Sequence, residues 1–136
     1  MFFQTNPFLE NWSKTSIAVT KESWLIRQDN KYNVKWILRK FGKKVLSAIQ
    51  HQSILNGGTI FGPTQFMIEF LKEMTHVLFD NKYVRVSDQA SLNYLVHTDI
   101  IKPVAFSDNI SGPIMTLAWE NQIKTKRKCC FCVASV

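Results

Sequence analysis

Apolar positions recur along this chain with the period of a helix in some stretches and of a strand in others. In residues 32–41, Val34, Ile37, Leu38 and Phe41 fall at i, i+3, i+4 and i+7, the spacing of one helix face. Gly42 stops that helix, and residues 43–50 predict a second short one with Val45, Leu46 and Ile49 on one side. The longest periodic run is Met67, Phe70, Leu71, Met74, Val77 and Leu78. It predicts a helix from Pro63-Thr64 to about Phe79, with Pro63 acceptable at the first helical position. Residues 87–97 predict one more helix, with Ser87 as N-cap and Asp88 in the first turn, where the helix dipole favours a carboxylate. Strands are expected at residues 14–21, around Ile17-Ala18-Val19, and at 53–60, 100–106 and 111–119. Residues 22–31 read as loop or a weak helical turn, and 81–86 as loop. Strands alternating with helices favour a mixed α/β layer.

One strand is unusual. Ile54-Leu55-Asn56-Gly57-Gly58-Thr59-Ile60 carries two adjacent glycines, which offer bare backbone or positive φ at little steric cost. If the helix that follows packs on the sheet, Asn56-Gly57-Gly58 and Asp88-Gln89 fall at one edge. A carboxylate, two carboxamides and exposed backbone there suit a ligand rich in hydroxyls. The same residues would serve equally as a strand bulge and a helix cap.

The 136 residues amount to one domain, and a hydrophobic fraction of 46% with 12% aromatics suits a packed core. Residues 1–120 are expected to form that domain and 121–136 an unpacked tail. Net charge is +7, but Lys124, Lys126, Arg127 and Lys128 supply four of the 17 basic residues. The rest is only mildly basic, with no stripe of charges interleaved with aromatics, so nucleic acid is not an expected partner. No apolar run reaches the roughly 18 residues that span a bilayer, and no basic segment followed by an apolar core marks a signal peptide. Cys129, Cys130 and Cys132 crowd the tail and describe no disulfide framework. Basic residues beside cysteines suit lipidation at an anionic membrane surface, which gives an alternative reading as a non-enzymatic membrane or protein-interaction module. His51, His76 and His97 fit no metal-site spacing and read as helix-surface or helix-end residues. Asp80, Asp99 and Asp108 read as loop residues. Asn11-Trp12-Ser13 and Asn109-Ile110-Ser111 are glycosylation triplets in expected loops.

The paired blocks Asn56-Gly57-Gly58-Thr59-Ile60-Phe61-Gly62 and Asp88-Gln89-Ala90-Ser91-Leu92-Asn93, at their spacing, resemble the second half of a GT-A-type glycosyltransferase. Phe2-Phe3-Gln4-Thr5-Asn6-Pro7-Phe8 resembles the segment after the metal-binding Asp-x-Asp-type motif of that fold. Trp36-Ile37, Gly42 and Val45 are similar to the helical linker of one branch. The resemblance covers about residues 1–118. It implies a partial GT-A-like mixed sheet flanked by helices, without the N-terminal nucleotide-binding half. It also implies a catalytic or charge-stabilising role for Asp88, and substrate-binding roles for Asn56, Gly57, Gly58 and Gln89. A parent enzyme would use a nucleotide-sugar donor, a glycan or protein acceptor and a divalent Mn or Mg ion, in the secretory pathway or Golgi lumen. This chain has no Asp-x-Asp motif, and its Trp119-Glu120-Asn121-Gln122-Ile123 stretch lacks the family's histidine. No cofactor is therefore expected in the chain itself, and it is expected to be inactive alone. In the core, Met67, Phe70, Leu71, Met74 and Leu78 are expected to pack on the strand with Leu55 and Ile60. Phe2, Phe3 and Ile17 are expected at an uncovered face.

Overall fold

The structure is a computed structural model that describes residues 2–6, 12–80 and 88–115. The tail, Ser87 and the first glycosylation asparagine, Asn11, lie outside these residues, as does the loop expected at 81–86. A three-stranded sheet has the order β3-β2-β4, from Ser53–Phe61 (β3), Ile17–Leu25 (β2) and Val104–Asp108 (β4). β3 runs antiparallel to the central β2, and β4 runs parallel to it. The sequence explains why β2 is central: Ile17-Ala18-Val19-Thr20 is buried at every position, so both faces of this strand are covered. Phe2–Phe3 (β1) and Ile114–Met115 (β5) form a separate antiparallel pair. Trp12–Thr15 (α1) is a single turn before β2.

β2 extends to Leu25, so the stretch from Glu22 expected as loop is strand. Its pairing with β3 shifts register between Val19 and Lys21 and again between Lys21 and Leu25. Each irregularity resets which face a residue takes, and this hides the alternation that marks a strand. The helix Asn33–Ile49 (α2) runs through Gly42, whose φ of 82° and ψ of 176° break it into two pieces, where the sequence places the stop. A Cβ at Gly42 would meet nothing within 4 Å, so glycine is required there by backbone conformation alone.

The helix Thr64–Phe79 (α3) matches its expected bounds, but its apolar stripe is wider than the face it buries. Phe70 is buried, while Met67, Met74 and Val77 are partly buried against the same cluster. Leu71 is 53% exposed, contrary to expectation. Ile17, expected at an open face, is instead 1% exposed in the core. The first core joins Ile17 and Val19 of β2, Leu55 of β3 and Phe70 of α3 to Leu92, Leu95 and Val96 of the helix Asp88–His97 (α4). The second joins Ile26, Ile37, Ile49, Ile54 and Ala90.

β4 begins later than expected. The Ile100 and Ile101 N–H groups both donate to the Leu95 carbonyl, closing the end of α4 and taking these residues out of a ladder. β5 also begins later than expected: residues 109–111 form a turn, whose Ile110 and Ser111 N–H groups donate to the Asp108 carboxylate at 2.8 and 3.1 Å. These bonds hold the Asp108 carboxyl below its ordinary range. Among the described residues no helix is long and apolar enough to cross a membrane.

Candidate functional site

α4 fixes the geometry of the site. Ala90, Ser91, Leu92, Asn93, Leu95 and Val96 are all buried, so this helix is enclosed on nearly every side, against α2, α3 and β3. Asn93 pins it to the sheet. Its Oδ1 accepts the Leu55 N–H at 3.1 Å, and its Nδ2 donates to the Gln89 carbonyl at 2.8 Å. Leu55 lies at the irregular part of the β2–β3 pairing, so the carboxamide serves the backbone where the ladder is disturbed.

The first turn of α4 thereby rests on β3. A Cβ built on Gly57 would lie 3.8 Å from both Cα and Cβ of Gln89, an ordinary contact. Neither crowding nor positive φ demands glycine at Gly57, and Gly58 also lacks positive φ; that expectation holds at Gly42 instead. What the two glycines provide is exposed backbone without side chains.

Three polar side chains meet beside that backbone. Asn56 Nδ2 and Gln89 Nε2 each lie 3.5 Å from the same oxygen of Glu22, Oε1. At that length both bonds are weak and open to exchange. Asn56 Oδ1 meanwhile accepts the Gly58 N–H at 2.9 Å and the Thr59 hydroxyl at 3.4 Å, which fixes its amide. Burial, and then the nearby Asp29 charge, push the Glu22 carboxyl above its ordinary range; the Gln89 and Asn56 donors oppose this. Asp29 is buried, and its oxygens accept the Tyr32 N–H, the Asn33 N–H and Asn33 Nδ2, tying down the start of α2.

The structure thus brings Asn56, Gly57 and Gln89 together. Asp88, at the start of α4, is exposed; burial pushes the Lys40 ammonium of α2 below its ordinary range, and the Asp88 charge opposes this. Glu22 is the member that sequence reasoning missed. It shares parity with Trp24 and Ile26, which pack into the second core. The register shifts on either side of Lys21 hide that parity, so no local signal in the sequence marks Glu22.

Other candidates resolve as structural. The His97 imidazole donates from Nε2 to the Ser53 carbonyl at 2.9 Å, and burial pushes its pKa down. Asn109 is 3% exposed, so its side chain is not an accessible glycosylation acceptor in the folded chain. No group of three or more His, Cys, Asp or Glu among the described residues could hold a metal ion. Glu22 Oε1 and both Asp29 oxygens already face N–H donors, so this pair does not fit a divalent metal.

Glu22 makes a pH-dependent prediction. Its folded pKa is raised, so its contribution to stability is present below the unfolded value of about 4.5 and lost as pH rises through the folded value. Glu22→Gln is expected to be more stable than the parent at pH 7, with the difference shrinking as pH falls toward 4. Urea unfolding of both proteins across that range checks it. His97 is common to both and cancels. A variant less stable at pH 7 would show that the carboxylate is favoured in place.

Compared with family models, curated proteins and solved structures, the chain matches none.

Proposed function

We propose that this chain forms the sugar-facing, acceptor-side part of a GT-A-type glycosyltransferase. The observation that supports it is the convergence of Asn56 and Gln89 on Glu22, beside the exposed backbone of Gly57-Gly58. These residues come from the two blocks that carry the resemblance, and Glu22 adds an acceptor between them. A carboxylate and two amides, joined by long bonds, can exchange those bonds for sugar hydroxyls without leaving a polar group unpaired. Asp88, one residue from Gln89 and exposed, would face positive charge developing at a sugar carbon and stabilise it. In this reading the nucleotide diphosphate is gripped by other parts of a longer enzyme, and the chain alone binds sugar without turning over a donor.

The test is a titration of the 136-residue chain with free monosaccharides and with nucleotide-sugars plus Mn²⁺, followed by amide NMR. Saturable shifts are expected at Asn56, Gly57, Gly58 and Gln89, weakened about tenfold in Asn56→Ala or Gln89→Ala, the worth of one hydrogen bond to a charged partner lost. Silence at those amides would sink the assignment. Donor turnover would overturn the division of labour.

A further inference from the structure

The cations of this chain are not spread evenly. Between Asp29 and Glu69 there is no acidic residue, yet Lys31, Lys35, Arg39, Lys40, Lys43 and Lys44 fall in that interval. Lys40 is buried, and the other five are exposed. Packing sorts them. Ile37 and Ile49, with the partly buried Val34, Val45 and Leu46, turn both pieces of α2 into the second core. The opposite side of each piece is left facing out: Lys35 and Arg39 before the Gly42 break, Lys43 and Lys44 after it. None of these four is in an ion pair among the described residues. Asp29, at the start of α2, is buried and already accepts N–H groups, and Asp88 acts on Lys40, on the inward side. Like charges four apart on a helix, as Lys35 and Arg39 are, repel each other. An anion laid against this face would relieve that repulsion.

Two classes of large anion can meet such a face, a nucleic-acid backbone and a phospholipid surface, and the uncharged side chains decide between them. Single-stranded nucleic acid is held by cations together with aromatic rings on which its bases stack. The aromatics of α2 are already engaged. Trp36 packs against the second core, its ring centroid is 5.4 Å from that of Tyr32, and Lys31 lies over the Tyr32 ring at 5.0 Å. Leu38 stands among the cations, three residues after Lys35 and next to Arg39, and is 44% exposed. Phosphate oxygens offer a leucine nothing. The boundary between headgroups and acyl chains takes it, while the neighbouring cations reach the phosphates on their long stems. We infer that the outward face of α2, with Lys31, Lys35, Arg39, Lys43 and Lys44 around Leu38, docks on an anionic phospholipid surface. The apolar side of α2 stays in the protein core, so the helix rests on the headgroups with one leucine inserted. Binding of this kind is reversible and screened by salt.

The experiment is co-sedimentation of the 136-residue chain with vesicles of phosphatidylcholine alone and of phosphatidylcholine mixed with phosphatidylserine. Saturable binding is expected to the mixed vesicles only, weakening as salt rises. Lys35→Gln combined with Arg39→Gln is expected to lower the affinity about 25-fold, or about fivefold for each cation withdrawn from an anionic surface. Leu38→Ser should lower it severalfold, a loss that added salt does not remove. Lys14→Gln combined with Lys72→Gln removes the same charge from exposed positions on α1 and α3, and should leave binding unchanged. Every substituted side chain is exposed, and urea unfolding checks that each variant folds. Lys124, Lys126, Arg127 and Lys128 stay in every variant, so binding unchanged by the α2 substitutions would assign it to the tail and overturn the inference. Equal loss in the Lys14 and Lys72 variant would reduce the effect to net charge and overturn it too. So would absence of binding to the mixed vesicles, or tighter binding to a nucleic-acid strand or duplex that Leu38→Ser leaves unaffected.

Discussion

Phe70→Ala is expected to destabilise the chain by about 3–5 kcal/mol, the largest loss from any single truncation on α3. Phe70 is 3% exposed and packs among Ile17, Val19, Leu55, Leu92, Leu95 and Val96. These neighbours come from two strands and the enclosed helix α4, so they cannot collapse into the vacated space without breaking sheet or helix contacts. The cost therefore includes the cavity as well as the lost transfer energy. The next residue, Leu71, points to another side of the helix and is 53% exposed, and Leu71→Ala should stay within about 0.5 kcal/mol. Urea unfolding of the two variants side by side gives the check. A Phe70 variant losing less than about 1 kcal/mol would mean that α3 packs by another face.

Asn93→Ala is the second large effect, expected at about 2–4 kcal/mol. The side chain is fully buried, and its loss strands the Leu55 N–H and frees the Gln89 carbonyl. An orphaned buried donor costs about 1–3 kcal/mol, and the small void adds to it. The loss should also show locally. Hydrogen exchange at the Leu55 amide is expected to accelerate more than at Val19, which pairs regularly with Ile60. Uniform acceleration at both amides would place the role of Asn93 in global packing rather than in pinning α4 to β3. Because Gln89 sits one helical turn from Asn93, the same variant should weaken sugar shifts at Gln89 beyond what global stability explains.

The sequence speaks most clearly where one physical rule acts alone. α3 and β3 are legible because a sustained helical period and a glycine-bearing apolar run have few competing readings, and Gly42 marks its own break through a backbone conformation other residues avoid. β2 is half legible: Ile17 to Thr20 reads as strand, but the register shifts toward Leu25 erase the alternation. Leu71 misleads because an apolar stripe records which positions are hydrophobic and not how wide a face the neighbours cover. α4 shows little periodicity because it is buried on nearly all sides, so its first-turn carboxylate identified it better than its apolar residues did. In the site, Asn56, Gly57 and Gln89 are visible as two short blocks. Glu22 is not, since nothing local distinguishes a strand glutamate that ends beneath two amides from one in a solvated loop.

The pairing of β1 with β5 has a geometric consequence for any longer protein. Phe2 and Met115 are cross-strand partners, so their Cα atoms lie only about 5 Å apart. Gln4 strengthens this closure: its backbone N–H donates to the Pro113 carbonyl at 2.8 Å, and its side chain donates to the Ile110 and Gly112 carbonyls. The chain therefore enters at Phe2 and reaches Met115 side by side at one edge of the described body. Sequence attached before Phe2 and sequence attached after Met115 would emerge side by side and not from opposite poles.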